Sequence, residues 1–259
     1  MYTKKVEKFI SANNVTNAEK YLVKLDKYDK EKAKTLRFKL YTQAIKDASQ
    51  KNDGEAVIKY TAILKIIIGG VLPKELSLEE SRSVIKLYKK RKYIDRSENK
   101  KILKAKNNIV KIINQANGNE QYYEETLELI DTAEEMLGRA KVVNFNELAI
   151  PNRDGGIVWQ KVAYDNNGRG LSFNQAKRYC KNLTLSGFSD WELSDGGSLE
   201  SAIQGIAGML FKYKPNHNVS FWAEGRNGEK PGEPYTYNFI TRSLVKGANT
   251  VGAARCAEK

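Results

Sequence analysis

Few residues in this sequence have side chains suited to catalysis. His217 is the single histidine, and Cys180 and Cys256 are the two cysteines. A serine or cysteine nucleophile would therefore have one candidate base, and Pro215-Asn216-His217-Asn218 reads as a turn. With one histidine and no CxxC pair, a zinc site lacks ligands. The carboxylates show no local spacing that pairs an acid with a base, and no phosphate-loop or dinucleotide motif is present. Asp165-Asn166-Asn167-Gly168-Arg169-Gly170 starts like a calcium loop but lacks the alternating acids and the closing glutamate, so it reads as a turn. No catalytic residue, cofactor or metal site is expected.

Binding chemistry has two candidate stretches. Trp222, Tyr235 and Tyr237 could stack on a sugar or another flat ligand, with Glu224, Arg226, Asn227 and Arg242 hydrogen-bonding at the rim. The competing reading is that these strand aromatics are core. Residues 227–234 form a loop too polar for an interior, the kind of segment on which binding residues collect. The second stretch is Lys89-Lys90-Arg91-Lys92, a candidate polyanion contact that could equally be a solvated helix face. Only Tyr88 and Tyr93 flank it, and no nucleic-acid-binding signature follows, so nucleic acid ranks below other polyanions.

The charge balance gives both stretches context. Lys and Arg number 44 against 31 Asp and Glu, a net charge of +13. Arg82 to Lys111 holds twelve basic residues and two acids, whereas Glu120 to Glu135 holds seven acids and no base. This predicts an acidic helix beside a basic one, with the residual charge favouring a polyanionic partner. The longest apolar run, Ile63 to Leu72, is interrupted by Lys65 and Gly69-Gly70, so no transmembrane segment is expected. The first residues carry lysines without a secretory apolar core, which reads as cytoplasmic if Met1 is native.

The elements that must position these residues fall into two textures. Up to residue 145 the pattern is helical, with one apolar stripe of Ala33, Leu36, Leu40, Ala44, Ile45 and Ala48. A second runs through Ile102, Ala105, Ile109, Ile113 and Ala116, and a third through Tyr123, Leu127, Ile130 and Leu137. Breaks at Asn13-Asn14, Asn52-Asp53-Gly54 and Asn117-Gly118-Asn119 divide about six helices, and Ser77 with Glu80 reads as a capping box. An irregular bundle and a repeat-like array both fit, although no clean repeat is visible. After Pro151 glycine and aromatic residues become frequent. Residues 157–164 and 171–173 flank the 165–170 turn as a hairpin, and 199–213 reads as a helix. Residues 219–223, 235–240 and 251–256 read as strands of a small, mainly antiparallel sheet. A short helix carries Phe173, Ala176, Tyr179, Cys180 and Leu183 on one face, and Trp159 and Trp191 read as buried anchors.

The series Gly155-Gly156-Ile157-Val158-Trp159-Gln160, Phe173-Asn174-Gln175-Ala176, Tyr179-Cys180, Leu183, Gly187-Phe188-Ser189-Asp190-Trp191-Glu192-Leu193, Phe221-Trp222 and Arg255-Cys256 is more specific. It resembles the C-terminal domain of the Legionella collagen-like adhesin and its bacterial relatives, a branch of the C-type-lectin and formylglycine-generating-enzyme fold. The resemblance covers residues 154–259. It implies a disulfide between Cys180 and Cys256, tying the first helix to the last strand, where the cysteines alone could be unrelated thiols. Such a bridge would contribute roughly 4 to 5 kcal/mol in the chain-entropy model and would imply an oxidising compartment. It also implies export, against the literal reading of the N-terminus. Glu192 and Ser194 stand where the family usually has Arg and Pro, and Ala223-Glu224 replaces its Ser-Ser or Ser-Thr. A relative's ligand site is therefore not carried over.

The expectation is thus two domains. Residues 1–145 form a basic all-α bundle or repeat-like array, and residues 146–259 an α+β C-type-lectin-like domain. The leading functional reading is a non-catalytic extracytoplasmic binding or adhesion protein, periplasmic, outer-surface or secreted, whose partner is an anionic glycan or a host or envelope protein. A cytoplasmic helical scaffold or nucleic-acid-associated protein ranks second, and an enzyme of the formylglycine-generating type third. The sequence leaves the oligomeric state open.

Overall fold

The structure is a computed structural model that describes residues 2–115, 120–167, 169–211, 220–225, 232–238, 243–246 and 251–258. The chain divides into two compact units, Met1–Lys90 with Ser97–Ala140, and Arg91–Arg96 with Lys141–Lys259. In place of one division between residues 145 and 146, the chain passes between units after Lys90, Arg96 and Ala140. The cause is a two-residue strand, β1 (Tyr93–Ile94), which pairs in parallel with β2 (Lys141–Val142). Tyr93 is buried in the second unit against Phe188, with ring centroids 6.0 Å apart.

The described residues of the first unit form seven helices: α1 (Tyr2–Ser11), α2 (Val15–Asp26), α3 (Lys30–Gln50), α4 (Gly54–Ile68), α5 (Lys74–Tyr88), α6 (Arg96–Asn114) and α7 (Glu120–Arg139). Short side chains set the starts, because each accepts a backbone N–H that the first helical turn leaves unpaired. Asn14 caps α2, Asp29 caps α3 and Asp53 caps α4. Gly69, at φ +82°, takes the left-handed position that closes α4. Each helix from α1 to α4 packs on the next, and α1 also packs on α3, α3 on α5, and α5 on α7. These skip-one contacts are those of stacked helical hairpins.

The stripe from Ala33 to Ala48 is buried throughout, and Ile102, Ala105 and Ile109 are buried on α6. On α6 the stripe continues through Ile112, leaving Ile113 half-buried, while Ala116 lies outside the described residues. On α7 the expected face, of which Tyr123 lies outside the described side chains, is displaced by one position. Thr126, Leu129, Ala133 and Met136 are buried, whereas Leu127 is 39% exposed. Small residues at 126 and 133 permit close helix approach, and the larger Leu127 turns outward. The Ser77–Glu80 capping box is also corrected. The helix already begins after Pro73, so Ser77 lies inside it and its carbonyl accepts the Ser81 hydroxyl at 2.9 Å. Basic and acidic helices do pair, through Arg82–Glu125 at 3.1 Å and Lys106–Glu134 at 2.6 Å.

The second unit is α+β with small sheets. Strands β3 (Leu148–Ala149), β4 (Trp159–Gln160), β5 (Trp191–Leu193) and β9 (Cys256–Glu258) form an antiparallel sheet in the order β3-β4-β9-β5. Strands β6 (Phe221–Glu224), β7 (Pro234–Asn238) and β8 (Ser243–Lys246) form an antiparallel meander, β8 being a strand the sequence pattern did not indicate. Helix α8 (Phe173–Lys181) opens the helical part, and the expected 199–213 helix is divided at Gly205 into α9 (Gly196–Gln204) and α10 (Ile206–Leu210). The anticipated hairpin around 165–170 does not form. Tyr164 instead pairs with Ala254 and Leu171 with Gly252, so both flanks of the turn bond to the last segment of the chain.

Candidate functional site

α8 is the element around which the second unit's surface and core meet. Ser172 and Gln175 open it as a reciprocal capping box, in which the Ser172 hydroxyl accepts the Gln175 N–H and Gln175 Oε1 accepts the Ser172 N–H at 2.8 Å. The apolar face then buries Ala176 and Cys180, with Phe173, Tyr179 and Leu183 packed at its margin. Cys180 and Cys256 are disulfide-bonded with a Cα separation of 5.4 Å, so the helix is tied to β9. Trp159 and Trp191 are both buried, and the Trp191 indole donates to the Phe188 carbonyl at 3.0 Å.

Beside the bridge a chain of polar contacts runs from the core to the surface. The fully buried Arg255 donates to the carbonyls of Gln160 and Lys161, each at 2.9 Å, and its guanidinium lies 4.0 Å from the Phe211 ring centroid. The Gln160 side chain accepts the Cys256 N–H at Oε1 and donates from Nε2 to the Tyr179 hydroxyl at 2.7 Å. Tyr164 stacks on Tyr179, with centroids 4.4 Å apart and planes 12° from parallel. Burial raises the Tyr179 pKa, the Gln160 hydrogen bond opposes that, and Tyr164 adds to it. Tyr179 is therefore a neutral phenol whose oxygen is engaged and whose proton is left to donate.

Tyr164 and Tyr179 line an open concavity of about 420 Å³, together with Leu171, Gln175, Arg178, Asn182, Leu183 and Thr184. Its position depends on Gly170, at φ +72°, where a Cβ would come within 2.8 Å of Val251. The concavity offers aromatic surface and hydrogen-bond donors, with no carboxylate among its lining residues.

The sequence-derived site is distributed differently. Trp222 is fully buried, its indole donating to the Leu171 carbonyl at 2.6 Å and its ring 5.5 Å from that of Phe173. Tyr235 and Tyr237 are buried too. Phe221, Trp222 and Ala223 are all buried, so β6 is covered on both sides. These aromatics are core and present no face to a ligand. Glu224 is half-buried and bonded to Lys177 at 2.7 Å. Arg226, Asn227 and Arg242, like His217, lie outside the described residues.

The basic tetrad is divided between the units. Lys89 and Lys90 are exposed in the first, whereas in the second Arg91 pairs with Asp154 at 3.5 Å and the Lys92 ammonium lies 5.5 Å from the Tyr93 ring centroid. Among the described residues, no three His, Cys, Asp or Glu side chains cluster so as to hold a metal ion, and no helix is long and apolar enough to cross a membrane. Sequence reasoning missed Tyr164, Gln160 and Arg178. The available signal was Tyr179, the one large polar-tipped residue on the apolar face of α8, which required a partner for its hydroxyl. Comparison of the chain with family models, curated proteins and solved structures finds no match.

Proposed function

We propose that this is a non-catalytic binding or adhesion protein of the cell envelope or exterior, its second unit a C-type-lectin-like module of the collagen-like adhesin family. Its ligand is an anionic glycan or a surface protein. The carrying observation is the open, donor-rich concavity beside the Cys180–Cys256 bridge, built on a helix that the bridge fixes in place. Most of the resemblance motifs meet in the core packed against α8. Gln160 contacts Tyr179 and Cys256, while Val158, Trp191, Leu193 and Trp222 share one buried cluster with both cysteines. A net charge of +13 favours an anionic ligand by steering and local concentration.

The test is a glycan array and a surface-protein panel probed with the oxidised full-length chain, followed by salt titration of each hit. Glycan or protein binding that weakens with salt is expected. Absence of both at low salt overturns the reading. A cytoplasmic helical scaffold is the second reading, supported by the stacked hairpins of the first unit. Thiol labelling of the protein in its native cells separates the two, since a protein of the exterior carries Cys180 and Cys256 bridged and a cytoplasmic one carries them reduced.

A further inference from the structure

We infer that the concavity on α8 is a subsite for an acidic sugar, a pyranose ring lying against Tyr164 with its carboxylate on the Arg178 guanidinium. The inference rests on the glycan-binding reading and specifies where and what that glycan is. Tyr164 is held at its backbone by the paired hydrogen bonds with Ala254, at 2.9 and 2.8 Å, and at its ring by Tyr179. The residue nonetheless remains 37% exposed. A rigid, half-exposed aromatic face suits a sugar, because the ring's negative face attracts the weakly positive C–H groups of a pyranose and little side-chain freedom is lost on binding.

The polar groups around that face are biased toward donation by their own internal bonds. Gln175 has committed its carbonyl oxygen to the Ser172 N–H, leaving its amide nitrogen. Tyr179 accepts from Gln160, leaving its proton. Arg178 uses Nε on the Asn174 carbonyl at 3.4 Å, leaving the two terminal nitrogens of its planar fork. Asn182 and Thr184 add groups that can donate or accept. Donors without a lining acid define a site for an oxygen-rich anion. A single guanidinium fork matches the two coplanar oxygens of one carboxylate, whereas a neutral sugar leaves that charge unused. The volume of about 420 Å³ lies at the smaller end of the roughly 300–1,000 Å³ found for small-ligand sites. Because the concavity is open, the remainder of a glycan can continue into solvent.

The experiment is titration of the full-length, oxidised protein with methyl glucuronide, methyl glucoside and glucose 6-sulfate, followed by NMR or calorimetry, with Arg178→Gln and Tyr164→Leu alongside the parent. Glucuronide is expected to bind at least tenfold more tightly than glucoside, and Arg178→Gln to remove that difference. Tyr164→Leu should weaken both sugars. Arg178 is exposed, so its variant should keep the parent's melting profile. Glucuronide binding no tighter than glucoside, or unaffected by Arg178→Gln, overturns the subsite. Glucose 6-sulfate binding as tightly as glucuronide overturns the carboxylate assignment. If the array shows glycan binding while these tests fail, the subsite is wrong and the broader reading stands. If the panel returns only protein ligands, the sugar site is likewise overturned.

Discussion

The two units are ordered by different means. In the helical unit, each element is specified largely by its own residues: a side-chain cap where one is present, an apolar stripe and, from α1 to α5, a neighbour in sequence to pack against. Among the described residues of the second unit the longest strand has five residues, and the sheet containing Cys256 is made of two- and three-residue strands. A ladder this short orders few residues by itself. Long-range side-chain ties supplement it. Arg255 reaches carbonyls 94 and 95 residues away, the Trp222 indole reaches one 51 residues away, and the bridge spans 76 residues. Distributed local order should degrade gradually under mutation, whereas order carried by a few ties should fail at those ties.

The sharpest way to break this contrast is reduction. All three tryptophans lie in the second unit, so their fluorescence reports on it alone, while the far-UV helical signal is dominated by the first. Cys180→Ser with Cys256→Ser should cost the tryptophan-monitored transition roughly 4 to 5 kcal/mol in the chain-entropy model, leaving the far-UV transition nearly unmoved. A shift of equal size in both signals would show the units to be one cooperative structure. Tyr93→Ala comes next. The residue sits between α5 and α6 in the chain yet is buried against Phe188. Its loss should destabilise the second unit by roughly 3 to 5 kcal/mol, as for other buried aromatic truncations, read by tryptophan fluorescence in denaturant. A loss confined to the helical signal would return Tyr93 to the helical unit.

The same contrast explains what could be read from the sequence. The Ala33–Ala48 stripe was legible because Leu36, Leu40 and Ile45 repeat on the helical period with alanines between them. The α7 face was misplaced by one residue because Thr126 and Ala133, which are buried on it, carry weak apolar signals. The Ser77–Glu80 pattern misled because Pro73 had already fixed the start of α5. In the second unit the motif residues could be recognised but their exposure could not. Trp222 would suit a sugar platform by residue type, yet Gly252 leaves space beside its indole, where a Cβ would stand 3.1 Å from the ring, and the core closes over it. The concavity itself was illegible. Tyr164, Gln160 and Tyr179 meet only because both flanks of the 165–170 turn bond to residues 252–254, a pairing with no local signal.

That close approach gives a third prediction of intermediate size. A methyl group at Gly252 would also stand 2.8 Å from the Ser220 carbonyl, a backbone atom with no side-chain freedom with which to yield. Gly252→Ala should cost about 1 to 3 kcal/mol through overpacking. It should also weaken Tyr164's platform, because Gly252 lies two residues from Ala254, which holds Tyr164. Denaturant midpoint and glucuronide affinity should fall together. A stability loss with unchanged affinity would separate the concavity from the segment that positions it.

The smallest effect belongs to the helical unit and is the control on the whole comparison. The Asp53 side chain accepts the Ala56 N–H at 3.0 Å and so satisfies one of the donors at the start of α4. Asp53→Ala removes that acceptor and a negative charge from the positive end of the helix dipole, for a loss of about 1 kcal/mol. The exposed N–H can turn to water, and the α3–α4 and α4–α5 contacts stay in place, so nothing further should follow. The far-UV midpoint should move slightly with its slope unchanged, and tryptophan fluorescence should not move at all. A loss as large as that from cutting the bridge would mean that the helical unit also hangs on single ties, and the distinction between distributed and concentrated order would fail.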